Sequence, residues 1–243
     1  MTWIYLSPHF DDAVLSCGGL IWEQASRSEL VEVWTVCAGP IPPGPLSPFA
    51  AELHQRWGTG LASVETRRAE DEAVCRAMGA VGRYFELPDC IYRSLPGSGV
   101  PVVTCNADLW QPYPQAEAAL VGRIAAWMAE ALPGRARLVC PLAIGGHMDH
   151  RLVRAAAERL DHPRWYYADY PYVAKESFEP RRWLGPGYCV YSRFLRPPAL
   201  AAWRAGVAAY TSQISTFWNS LDEMEHAIAA YAQTRPGHSL WRK

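Results

Sequence analysis

From residue 3 to residue 170 the chain alternates segments of strand-like and helix-like periodicity, and nothing else in it constrains the fold as strongly. Residues 3–7 (WIYLS) form a short apolar strand. Residues 13–26 read as a helix with Val14, Leu15, Leu20 and Ile21 on its apolar side. Residues 31–37 (VEVWTVC) are β-branched and alternating, hence a strand. Residues 65–78 make a charged amphipathic helix that Gly79 ends as a C-cap. A short strand at 84–87, an Ala-rich helix at 115–131, a strand at 137–142 (RLVCPL), a helix at 149–160 and a strand at 164–170 follow. Repeated β-α-β order predicts an α/β fold with a mostly parallel sheet and helices on both faces. Ligands of such sheets sit beyond the carboxyl ends of the strands.

Two stretches break the pattern. Residues 39–60 and 90–114 are irregular and rich in Pro and Gly, with Phe49, Trp57, Tyr92 and Trp110 among them. Loops of that length in a compact domain are usually functional, so Trp57, Tyr92 and Trp110 are the aromatic candidates for substrate contact. The last third opens with a Pro- and aromatic-rich stretch and closes with two expected helices, 199–213 and 220–233. No repeat or linker divides the chain, so one domain over residues 1–243 is expected.

With a net charge of −1 the chain lacks the basic footprint of a nucleic-acid binder. No apolar run reaches the roughly 18 residues of a membrane span. The first ten residues show no charged, signal-like start, so a cytoplasmic protein is the expectation. Seven cysteines without a CxxC pair suit buried free thiols in a reducing compartment. The oligomeric state stays open, and exposed aromatic loops would suit either a lid or a homo-oligomer contact.

Two clusters carry chemistry. Ser7-Pro8-His9-Phe10-Asp11-Asp12 follows the first strand, and Gly145-Gly146-His147-Met148-Asp149-His150 follows the strand RLVCPL. Imidazole and carboxylate suit zinc or a similar divalent ion, and a catalytic site needs three protein ligands. His9 and Asp12 offer two, and His150 or His147 a third. One carboxylate then remains to act as a base. The plainer reading is that Asp11, Asp12 and Asp149 only cap helices; capping requires neither His9 nor His150.

At these residues the chain resembles the PIG-L / LmbE-like family of N-acetylglucosaminyl deacetylases. The family's His-Pro-Asp-Asp appears as His9-Phe10-Asp11-Asp12 and its His-x-x-His as His147-Met148-Asp149-His150. RRAEDEAVCRAMGA (67–80), YYADYPY (166–172) and AYTSQ (209–213) extend the likeness. The resemblance implies a Rossmann-like, LmbE-like fold used for hydrolysis, and a zinc ion, with another divalent ion such as Fe2+ able to replace it. It implies that His9, Asp12 and His150 bind the metal. Asp11 would be the general base, and His147 would stabilise the oxyanion as an imidazolium near Asp149. Arg67 (Arg68 as the alternative) and Asp89 would contact the sugar. Phe10 would only change the stiffness of its turn. Gly145 stands where some members carry a tyrosine near the oxyanion, so that contribution is absent or comes from another loop. The implied reaction is removal of an N-acetyl group from an N-acetylglucosamine-type sugar or glycoconjugate, with release of acetate. A metal-dependent amidohydrolase acting on a non-sugar amide is the alternative. A silent metal-binding module is disfavoured by Asp11, and a nucleotide-binding domain by the missing glycine fingerprint.

Overall fold

A computed structural model describes residues 2–175 and 178–242. β1 (Thr2–Ser7) leads into α1 (Asp12–Ala25) and β2 (Leu30–Thr35). α2 (Pro48–Trp57), α3 (Ser63–Ala77) and β3 (Val81–Tyr84) follow, then α4 (Ala118–Ala131), β4 (Ala136–Pro141), α5 (Met148–Glu158) and β5 (Arg164–Tyr167). The remainder is α6 (Pro180–Leu184), β6 (Cys189–Ser192), α7 (Pro197–Ala208), α8 (Thr211–Phe217), α9 (Leu221–Ala232) and β7 (Ser239–Arg242).

The seven strands form one sheet in the order β3-β2-β1-β4-β5-β7-β6. The first five are parallel, and β7 and β6 close the edge antiparallel. The expected mostly parallel α/β sheet is what forms. β1 is central, and its apolar Trp3-Ile4-Tyr5-Leu6 is wholly buried, as a strand covered on both faces requires. α4 packs on α5, while α1 packs on α7, which also meets α3 and α9. Gly18 and Gly19 lie inside α1 because α7 approaches there. A Cβ on Gly18 would run into the Trp203 indole, and one on Gly19 would sit 2.7 Å from Leu195. Trp203 donates its indole N–H to the Val14 carbonyl, which fixes the ring in that groove.

Several expected boundaries shift, each for a local reason. The stretch expected to be irregular at 39–60 contains α2. Ser47 caps it by accepting the Ala50 N–H at 3.1 Å, Pro48 opens it, and Gly58 at φ 66 ends it. The strand expected at 84–87 lies at Val81–Tyr84, where it pairs with β2. The helix expected at 199–213 is two, because Tyr210 breaks it to donate its hydroxyl to buried Asp71 at 2.7 Å. The strand expected to reach 170 stops at Tyr167, and Asp169 turns toward His150. β6 and β7, four residues each, were not foreseen.

Strand order reverses between β1 and β4, so a crevice opens where their carboxyl ends diverge. Both chemical clusters begin at those two ends.

Candidate active site

The turn after β1 is held by its own polar atoms. Ser7 donates its hydroxyl to the His9 carbonyl at 2.5 Å and accepts the Ala13 N–H at 3.0 Å. The His9 N–H donates to Asp12 Oδ2 at 2.7 Å. Phe10 does more than alter this turn. It is buried against Ala38 and Val64, and the Arg67 and Arg68 guanidinium groups lie 5.7 and 5.9 Å from its ring centre. Asp11 sits at the N-cap position of α1, yet its side chain makes no capping bond. It accepts from Arg67 Nη2 at 3.3 Å instead.

The second cluster opens α5. The Asp12 Oδ2 that lies 3.1 Å from His9 Nδ1 also lies 3.3 Å from His150 Nε2. Ring nitrogens of His9, His147 and His150 fall within 4.8 Å of one another. His150 gives its other nitrogen to Asp169 Oδ1 at 2.7 Å, and its buried Nε2 has no hydrogen-bond partner. The far nitrogen of His9 meets Asp149 Oδ2 at 3.2 Å. Asp149 is itself anchored by the Cys90 N–H at 3.0 Å and Arg93 Nη2 at 2.7 Å. Arg93 also grips Glu117 with two bonds of 2.6 and 3.0 Å. A buried chain thus runs from Glu117 through Arg93 and Asp149 to His9.

These atoms call for a cation. Asp11, Asp12, Asp89, Asp149 and Asp169 are all buried, against Arg67 and Arg93 as the only buried Arg or Lys among the described residues, and Arg93 is shared with Glu117. Burial pushes the His9 imidazole down, but Asp89, Asp12 and Asp149 outweigh it and raise it well above the usual range. His150 behaves alike: burial lowers it, Asp12 and Asp169 raise it more, and it reaches about 9. Protons on these rings balance the carboxylates as a divalent ion would, and the orphaned His150 Nε2 is a ready donor. The residues therefore fit the implied metal. His9 and His150 are each backed by a carboxylate, Asp149 and Asp169, which fixes ring orientation and raises donor strength.

His147 meets Asp149 through the backbone and not through the carboxylate. The Asp149 side chain faces His9 and Arg93, while its backbone N–H donates to His147 Nδ1 at 3.3 Å. The ring proton is thereby left on Nε2. Burial, then the positive charge of His9 and His150, hold His147 well below the ordinary range. Asp11 moves the other way: burial lifts its carboxyl, and Arg67 only partly opposes this.

A cavity of about 240 Å³ opens on this floor. His9, Asp11, Asp12, Arg67, Asp89 and His147 line it, and His150 lies buried behind. Trp57 and Trp110 also line it. Tyr92 does not: its ring turns away and its hydroxyl bonds His54 Nε2 at 2.6 Å. Gly145, at φ 83, leaves room that Tyr172 takes, since a Cβ there would sit 2.8 Å from Tyr172. A tyrosine from the loop after β5 thus stands where a residue 145 side chain would begin. Asp169, Arg93 and Glu117 went unassigned in the sequence. Asp169 lies in the quoted YYADYPY, and only the fold links it to His150.

Residues 4–160 match the model of the PIG-L family, described as GlcNAc-PI de-N-acetylase. A 2′-N-acetylparomamine deacetylase of Niallia circulans is 31% identical over 186 residues, 70% of this chain and 66% of that protein. One from Streptomyces fradiae is 30% identical over 183 residues, 72% of this chain and 58% of that protein. The chain therefore spans about two-thirds or less of these curated relatives. The zinc-inhibited form of teicoplanin deacetylase Orf2 shares the fold at a TM-score of 0.83 and 27% identity, with 100% of this chain and 97% of that one covered.

Proposed function

We propose, from the premise that this chain belongs to the PIG-L family, that it is a metal-dependent hydrolase that removes the N-acetyl group from an N-acetylglucosamine-type sugar or conjugate. One observation carries the reading. His9, Asp12 and His150 converge at the ends of two strands, and Asp11 is left beside them with Arg67 as its hydrogen-bond partner.

His9, Asp12 and His150 would hold a divalent ion, which supplies Lewis acidity toward the acetamide carbonyl and the attacking water. Nitrogen and carboxylate donors suit zinc first, with Fe2+ as the alternative. Asp11 takes a proton from water as the water oxygen bonds to the carbonyl carbon. The His147 Nε2–H donates to the oxyanion that develops. Asp11 returns its proton to the sugar nitrogen, the C–N bond breaks, and acetate and the free amine leave. Arg67 steadies Asp11, and Arg67 and Asp89 together face the sugar. Asp149 and Asp169 orient the two imidazoles.

The test couples metal analysis to acetate release from N-acetylglucosaminides. Asp11→Asn should keep its metal and lose turnover by at least about 10²-fold. His9→Ala should lose the metal too. Near-full turnover by Asp11→Asn would overturn the base assignment, and a protein that takes up no divalent ion would overturn the whole reading. Because zinc inhibits the teicoplanin deacetylase as solved, activity should be followed across a zinc titration.

A further inference from the structure

The floor of the cavity is polar, but its wall is not. Half-buried Trp57, Leu109, Trp110, Tyr172 and Phe217 rise from four separate segments around the opening. Large apolar side chains left half-exposed around a concave site are surface that a ligand can cover. The wall is also built in advance. Trp57 donates its indole N–H to Thr216 at 3.1 Å, with the Arg67 guanidinium 5.0 Å from its ring centre. Trp110 stands edge-on between His147 and Tyr172, at ring separations of 5.5 and 5.3 Å. Aromatics fixed before binding cost little entropy when a flat ring stacks on them.

Charge narrows the choice further. Among the described residues, Asp11, Asp12 and Asp89 are the only lining carboxylates, and each is already engaged. Asp11 and Asp89 face Arg67, Asp89 also faces His9, and Asp12 lies between His9 and His150. None remains to receive an ammonium group of the substrate. The charged side chains at the exposed rim are Arg56 and Lys175, and Arg56 meets Glu52 outside the cavity.

We propose that the amino sugar this site takes carries an apolar, aromatic aglycone held by Trp57, Trp110 and Phe217, and that polycationic aminoglycosides are rejected. This rests on the deacetylase reading above and adds the identity of the group beyond the sugar. It separates the chain from the paromamine deacetylases that it resembles in sequence.

Acetate release by the metal-loaded full chain is measured on three probes: 4-nitrophenyl N-acetyl-β-glucosaminide, free N-acetylglucosamine and 2′-N-acetylparomamine. The aryl glycoside should exceed the free sugar in kcat/KM by about tenfold or more, and the paromamine should fall below both. In Trp110→Ala the aryl-to-free ratio should collapse toward one. In Lys175→Glu the paromamine should gain. The aryl probe should also quench tryptophan fluorescence of Asp11→Asn at lower concentration than free sugar does, a binding measurement that does not need turnover. Equal kcat/KM on all probes, or a preference for paromamine, would overturn the aglycone assignment and leave the deacetylase intact. Tight aryl binding with no acetate from any probe would uphold the wall and overturn the deacetylase.

Discussion

Replacing Arg93 with methionine keeps an unbranched, flexible stem, shortens the side chain and removes its charge. Arg93 is only 7% exposed, and its partners Glu117 and Asp149 are 3% and 0% exposed. The substitution deletes three charge-assisted bonds of 2.6–3.0 Å to those carboxylates and one of 3.0 Å to the Pro88 carbonyl. Stranding a buried charge by removing its partner costs about 3–5 kcal/mol, against a total stability of roughly 5–15 kcal/mol for a domain. With a urea slope of about 3 kcal/mol per M, the unfolding midpoint should fall by roughly 1–1.7 M. Metal affinity should drop by about 10–100-fold, because Asp149 would no longer be fixed beneath His9. The effect should shrink in acid. Burial pushes the Asp149 carboxyl up, but Arg93 and His9 outweigh it and hold it well below the usual range. Its stabilisation is therefore present above the unfolded value of about 3.9 and is lost as pH falls through the lower folded value. Adding Glu117→Gln should restore part of the loss, since one stranded charge is then neutral. A midpoint change below about 0.2 M at pH 7, the range of ordinary surface substitutions, would refute the idea that this ion chain holds the site.

Asp169→Asn should weaken metal binding by about 10–100-fold while leaving the fold cooperative, as read by competition with a chromogenic chelator; unchanged affinity would remove Asp169 from the site. Gly18→Ala should lower stability by roughly 1–3 kcal/mol despite alanine's better helix propensity, because Trp203 cannot retreat; a higher Tm would contradict the close approach of α7. Burial raises Asp71 to about 7, with the Tyr210 hydroxyl only partly opposing it. The folded protein then holds this proton where the unfolded chain releases it, so the residue's contribution to stability is lost as pH rises from about 3.9 toward 7. Asp71→Asn should flatten that part of the urea-midpoint profile, and an unaltered slope would show that Asp71 is ionised throughout.

The parallel half of the sheet was legible because each strand there is apolar and followed by a helix of clear period. The site was legible where it is local: His9 to Asp12 and His147 to His150 are contiguous, and the strand-end rule brings both to one crevice. α2 carries its signals in the sequence, with Ser47 at its N-cap, Pro48 at its first position and Gly58 after it, but the surrounding prolines read as loop. β6 and β7 are four residues each, too short to show a period, and β7 gains its place only by pairing with β5 on one side and β6 on the other. Arg93 and Glu117 belong to no motif. Their role exists only because a long loop folds back beneath α5. The absence of a His147–Asp149 side-chain pair has a related cause: Asp149 is a near neighbour in sequence, yet its carboxylate turns away toward Arg93.

Gly145 and Tyr172 occupy one space from two loops. Any side chain at 145 must first find 172 vacated, and Tyr172 can stand where it does only while 145 has none. A change at 145 alone therefore meets the Tyr172 side chain, and a change at 172 alone leaves its space unfilled. Grafting a residue from a relative onto this backbone will fail at 145 unless its counterpart is exchanged in the same step. Neither position can be interpreted, or redesigned, independently of the other.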